Sequence, residues 1–406
     1  MRSSGQAAVP SGRPVASTIL LVVTTLIVAA NLRPAITSVG SAIGLIADGT
    51  GLSEGELGVL GALPLLAFAV VSPLVHRVSR RLGIELTVLI ALLVLIAGTV
   101  VRSLPGAGPT LWLGSVILGA AIAVCNVLMP AIVKRDFPLT VSFMTGAYTS
   151  VISGFAALAS GLSVPLGELG GWQLAIGAWA GLSALSALVW TVRVRGAGRP
   201  ERGASIAPSA RGPSMWASAV AWYVTAFMGL QSMAFYLIIT WLPTIEASYG
   251  VPPAVAGWHL FAFQLTGIVA GLGVTAFMRR RQDQRLVGAV VSIVMIVAMS
   301  GVLLAPSWML MWVVLAGLSS GSAIVVALTL VSLRSRTVHD AGRLSGMVQG
   351  VGYLLAALGP VGSGLLYEWT GLWSLPVIAL IAISVLQGLV ALLAGRDRYT
   401  HPAPAS

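Results

Sequence analysis

The chain has 406 residues, 9% of them charged and 57% hydrophobic, and its mean hydropathy is +0.95. A soluble globular domain carries about 25% charged residues, so the composition excludes a water-soluble protein and indicates an integral membrane protein with the lipid bilayer as partner. The net charge of +11 is dispersed in short basic clusters between apolar runs, a distribution that fits membrane orientation and argues against nucleic acid as a partner.

Residues 1–15 form a polar N-terminal tail. The first apolar run, 17–43, lacks a small-residue cleavage site and flows into NLRP (31–34), so it reads as a retained helix and not a signal peptide. About 20 apolar residues are needed to cross the hydrocarbon core. Runs of that kind follow near 56–76, 85–102, 110–133, 139–166, 172–193, 215–243, 254–278, 286–304, 308–333, 342–367 and 372–394. The expected fold is all-α, with 12 transmembrane helices. A polar linker at 195–214 divides the chain into an N-terminal six-helix bundle, 16–194, and a C-terminal one, 215–394, followed by a tail at 395–406.

Every Lys and Arg except Arg33 and Arg102 falls on one side of this alternation. Asp48, Glu54, Glu56, Glu168, Glu246 and Glu368 fall in the opposite loops, with Arg102 their only base. Basic loops stay cytoplasmic, which predicts a multi-pass plasma-membrane protein with both termini inside. Arg33 alone belongs to neither side.

The two halves match at an offset of 200 residues: Asn31 with Gln231, Arg80–Arg81 with Arg280–Arg281, Trp112 with Trp312, Lys134 with Arg334, Gly146 with Gly346, Gly171 with Gly371. A duplicated six-helix unit places substrate at the interface of the halves, near mid-membrane. With these features the chain resembles a major facilitator superfamily transporter over essentially its whole length. PLVHRVSRRLG (73–83) is similar to the loop between that superfamily's second and third helices, except that His76 stands where an aspartate is common. NLRPAITSVG (31–40), ALPLLAFAVVSPL (62–74), NVLMPAIVKRDFP (126–138), MTGAYTS (144–150) and GW (171–172) resemble the cyanate and 2-nitroimidazole transporter (CynX/NimT-like) branch. The resemblance implies a secondary transporter and leaves the substrate open.

Arg33 is the residue that most needs explaining. It lies about 11 residues, or ~16 Å at 1.5 Å per residue, from the outer end of its helix, too deep for its charge to reach the interface. Burying it costs roughly 2.5–3.5 kcal/mol on insertion scales. No Asp or Glu is expected near the middle of any span. The missing counter-charge can then be an anionic substrate held by the guanidinium fork. Alternatively, Arg33 ties down backbone carbonyls freed by Pro34.

Asn31, Gln231, Gln264, Gln349, Tyr148, Tyr236 and Tyr353 lie near mid-span, with Asn126 closer to the cytoplasmic side. Amides and phenols in hydrocarbon need partners, so each is either a substrate contact or glue between helices. His259 and Phe263, one turn apart near the outer end of the eighth span, form either a proton-responsive gate or an interfacial pair. Lys134, Arg135 and Asp136 close the fourth helix, and Arg77, Arg80 and Arg81 close the second. Each set is either an inner gate or an orientation signal. Gly267/Gly271 and Gly317/Gly321 are G-x-x-x-G pairs that predict close helix approach.

GLSSG (317–321) also fits G-x-S-x-G, but a nucleophile elbow needs a strand-to-helix turn with a nearby His and acid, so the protein is not expected to be an enzyme. The only lysine, Lys134, lacks the glycines of a P-loop, which removes ATP as the energy source. No cofactor and no metal site are expected, and Cys125 stands alone. The function expected is alternating-access transport of a small, anionic or polar molecule by a monomer, either secondary active or facilitative. A multidrug or nitroimidazole-type exporter of the same fold is the alternative, and a non-transporting membrane sensor a more distant one.

Overall fold

Pro34 has no N–H to continue the first apolar run as one helix. In the computed structural model, which describes residues 15–105, 108–196, 214–278 and 283–400, the backbone there tightens to i→i+3 bonds. Asn31 N–H donates to Val28 O (3.0 Å) and Leu32 N–H to Ala29 O (3.1 Å). The predicted span 17–43 is thereby broken into α1 (Val15–Ala29) and α2 (Pro34–Ser41), and α3 (Ile43–Thr50) continues beyond the span's predicted end.

The other elements follow as α4 (Glu54–Leu82), α5 (Ile84–Arg102), α6 (Pro109–Asp136), α7 (Val141–Gly177), α8 (Trp179–Gly196), α9 (Ala219–Ser248), α10 (Pro253–Met278), α11 (Arg285–Leu304), α12 (Met309–Leu333), α13 (Val338–Thr370) and α14 (Ser374–Ala394). The described residues contain helices and no strands. Capping is explicit where chains enter from the acidic loops: Ser53 accepts from Glu56 N–H, and Glu56 accepts from Ser53 N–H.

Among the described residues, 11 segments are long and apolar enough to cross a membrane. The predicted span 172–193 is not one of them, because its last turn holds Arg193 and Arg195. It is helical nonetheless, divided between the end of α7 and α8. Gly170 and Gly171 bend the chain into it, and Gly171 takes φ +69, a conformation a residue with a Cβ rarely adopts. The tails 1–14 and 401–406, most of the linker and Arg279–Arg281 lie outside the described residues.

Helices α4 and α13 pack along one seam, α7 and α10 along another, and α2 and α9 meet between them. The approach is close at the ends carrying the acidic loops. A Cβ on Gly40 would strike Ile239 O, one on Gly58 would strike Pro360 O, and one on Gly364 would strike Glu54 O. Gly161 lies against the Trp258 ring. Toward the basic ends of α7 and α13, Gly146, Gly342, Gly346 and Gly350 meet nothing within 4 Å. The main apolar core is continuous across both groups of helices at the acidic end, whereas separate clusters around Phe227 and around Phe137 serve the basic end. The molecule is closed at its acidic end and open at its basic end.

The two glycine motifs pack on each other: Gly321 abuts Gly267 O and Gly317 abuts Phe263 O, joining α10 to α12 backbone to backbone.

Two charges sit differently from the expectation. Arg102 is not a loop residue. It is buried, with Nη1 donating to Ala35 O (2.7 Å) and Nη2 to Ile176 O (3.1 Å), so its charge is spread over two backbone carbonyls. Glu246 is likewise not in a loop. Helix α9 runs five residues past the predicted end of its span and carries Glu246 fully buried.

Candidate substrate site between the helix groups

The break after α1 makes Arg33 the residue before the α2 N-terminus, with non-helical dihedrals (φ −126°, ψ −34°). A half-helix N-terminus already favours an anion, and Arg33 adds a full positive charge. Its Nη1 donates to the Tyr236 hydroxyl of α9 at 2.7 Å. Its Cζ lies 5.5 Å from the Phe235 ring centre and 5.6 Å from that of Tyr236, within cation–π range. Tyr148 of α7 and Tyr353 of α13 also lie within electrostatic reach of the guanidinium.

Arg33, Tyr148, Tyr236 and Tyr353, all predicted as site residues, are therefore brought together from four parts of the chain. Phe263 joins them through Phe235, the ring centres 6.0 Å apart, and Phe68 meets Tyr353 edge-on at 5.4 Å. Neither Phe68 nor Phe235 stood out in the sequence, since an aromatic in an apolar run carries no signal of its own. Arg33 is half-buried, and among the described residues it has no carboxylate partner.

The amides behave differently. Asn31 is satisfied inside the N-terminal group: Nδ2 donates to Ile27 O (2.7 Å) and Ser186 Oγ (2.6 Å), and Oδ1 accepts from Ser183 Oγ (2.8 Å). Gln231 donates to Ser232 Oγ at 2.6 Å on its own helix. These two are not assembled with Arg33. Gln264 donates to Ser160 Oγ at 2.8 Å across the α7–α10 seam. Gln349 is exposed one turn before Tyr353 and donates to Ser345 Oγ (3.0 Å). Asn126 is half-buried on α6 next to Cys125.

The basic-end residues form a network within one helix group. Arg135 pairs with Asp136 (2.8 Å) and Glu85 (2.7 Å). Asp136 also pairs with Arg193, which lies 4.7 Å from the Trp190 ring centre and donates to Thr24 Oγ1 at 3.2 Å. Lys134, Arg77, Arg80 and Arg81 are exposed. At the other end, His259 Nδ1 lies 2.9 Å from Glu246 Oε2.

The cluster thus offers a fixed cation bonded to one phenol, two further tyrosines nearby and aromatic faces. That chemistry can orient a small anion or a flat polar ring. Among the described residues no His, Cys, Asp and Glu group is placed to hold a metal ion.

Comparison with known proteins agrees on the architecture. The Major Facilitator Superfamily profile matches residues 21–360 and 233–406. The uncharacterized transporter YycB of Bacillus subtilis (strain 168) is 40% identical over 383 residues, covering 93% of this chain and 94% of that protein. The 2-nitroimidazole transporter of Escherichia coli (strain K12) is 38% identical over 381 residues, covering 94% and 96%. The cyanate transport protein CynX of the same strain is 23% identical over 362 residues, covering 88% and 93%. Among solved structures, a bacterial homolog of the human lysosomal transporter Spinster, inward-facing and unoccupied, superposes with a TM-score of 0.75 at 17% identity, covering 97% of this chain and 100% of that one.

Proposed function

The chain belongs to the Major Facilitator Superfamily, as a multi-pass membrane protein that transports a small molecule, and on that premise we propose that the cargo is a small anionic or strongly polar molecule paired with Arg33. The observation that carries this is the half-buried guanidinium whose hydrogen-bond partner is a neutral phenol. A cation held between helix groups without a resident acid costs free energy unless something negative or strongly polar arrives.

Transport then proceeds by alternating access. Bundles at 16–194 and 215–394 rock about the chamber while the linker 195–214 accommodates the motion. The positive-inside distribution supports a cytoplasmic basic end with both termini inside, in a protein we place in the plasma membrane, so the open end faces the cytoplasm. We take the transporter to act as a monomer. Arg33 with Tyr148, Tyr236 and Tyr353 forms the binding set, with Gln264, Gln349 and Asn126 near its edges. The basic-end network around Arg135 and Asp136 braces the inner face.

A second reading, export of flat rings of the 2-nitroimidazole kind, draws on the aromatic lining of Phe68, Phe235 and Phe263 and on the E. coli relative's named substrate. Uptake by proteoliposomes separates the two. Arg33→Ala removes anion transport under the first reading. It leaves the movement of uncharged rings largely intact under the second.

A further inference from the structure

Glu246 is fully buried on α9, away from the Arg33 chamber, and alternating access as described above gives it no task. Its Oε2 lies 2.9 Å from His259 Nδ1 of α10, and among the described residues its Oε1 has no hydrogen-bond partner. His259 is itself only 13% exposed in its side chain.

The surroundings hold nothing that would neutralise the carboxylate. Helices α2, α12 and α14 present no titratable or charged side chain, and α10 presents only His259. The acidic ends of the remaining neighbours bring Asp48 of α3, Glu54 and Glu56 of α4, Glu168 of α7, and Tyr367 and Glu368 of α13. The end of α9 itself adds Tyr249. These groups are acidic or phenolic, so among the described residues on these neighbouring ends the imidazole is the one base at the pair.

With a neutral imidazole and an ionised carboxylate the pair buries a net charge of −1. One further proton makes the buried pair neutral overall, and burial in a low-dielectric interior favours the neutral total. The location connects this to conformation. His259 follows Trp258, whose ring meets Gly161 of α7 at the closed acidic end, and Gly257 packs against Ser160 O. Separating α10 from α7 to open that end would return the pair to water. Phe263, one turn further along α10, touches Phe235 beside Arg33.

We infer that Glu246 and His259 form a proton-binding site in which one additional proton stabilises the closed acidic end, so that protons on that side control which way the chamber faces. This rests on the alternating-access reading and adds its control. The proton enters from the acidic side when the seam opens and is trapped between the Glu246 carboxylate and the imidazole when it closes.

Hydrogen–deuterium exchange of residues 253–264 in the full-length protein, corrected for intrinsic exchange and measured between pH 5 and 8, tests it. Protection of that segment should fall as pH rises. Glu246→Gln leaves only the imidazole to titrate, so the fall in protection with rising pH should disappear or reverse, because a neutral buried His259 gains its proton only when the seam opens. His259→Gln, which keeps a donor facing the carboxylate, should move the midpoint. A wild-type profile flat with pH, or the same midpoint in every variant that folds, overturns the inference. The anion-induced thermal shift of wild type and its loss in Arg33→Ala are read in parallel. If those remain while the pH dependence is absent, only the proton site fails; if the anion shift itself is absent, the substrate reading fails separately.

Discussion

Arg33 is held by what its backbone does as much as by what its side chain touches. Pro34 stops α1, the break exposes the α2 N-terminus, and Tyr236 fixes the guanidinium at 2.7 Å. Hydrogen bonds to charged groups contribute about 1.5–3 kcal/mol, so Arg33→Ala should weaken anion binding roughly 10- to 100-fold and abolish uptake. Arg33→Lys should also abolish uptake, because a point charge does not replace the planar fork. Thermal stability of both variants in detergent should stay near wild type, and a large loss of melting temperature would instead mark Arg33 as structural. Tyr236→Phe keeps the ring and removes the hydroxyl. Titration should show roughly fivefold weaker anion binding, corresponding to about 1 kcal/mol, and unchanged affinity would remove Tyr236 from the site. Arg33 was legible in the sequence because a charge amid apolar residues stands out at any register. Arg102 and Glu246 were not, because each lies at the end of an apolar run, where a loop and a buried helix end look alike.

At the scale of elements, glycines at the acidic end set how closely α4 approaches α13 and α2 approaches α9. A valine at Gly58 would press on Pro360 O and hold α4 away from α13 at the acidic end. A cysteine at Thr240, buried against Gly61 in the closed seam, should react slowly with a membrane-impermeant maleimide added from that side and faster once Gly58→Val is introduced. Equal labelling would contradict the closed seam. The basic-end network is a brace within one helix group: Asp136→Asn leaves Arg193, almost fully buried, without its acid. Unpaired buried charge is destabilising, so the melting temperature should drop while the anion-induced shift persists. Hydropathy located most helices because span length is fixed by the bilayer. It ran α1 and α2 together, since a proline break inside an apolar run changes the hydrogen bonding and leaves mean hydropathy unchanged. The paired G-x-x-x-G motifs were legible as close approach, but which helices they join is decided by packing.

For the whole molecule, the alternation of basic and acidic loops carried the topology, and the offset repeat pointed to a site between two related groups of helices. Convergence of Tyr148, Tyr236 and Tyr353 on Arg33 could be guessed only from depth. Asn31 and Gln231 sit at comparable depth yet turn to partners within their own groups, because rotation about the helix axis is set by neighbours and not by spacing. The chamber is open toward the basic end and closed by backbone contact at the acidic end, and its positive centre faces aromatic rings in place of an acid. The most direct test is a thermal-shift screen of the purified protein against small anions and uncharged analogues of similar shape, with Arg33→Ala alongside. Stabilisation by anions that disappears in Arg33→Ala is the predicted result, and stabilisation only by neutral or cationic compounds, or anion shifts that survive in Arg33→Ala, would contradict it.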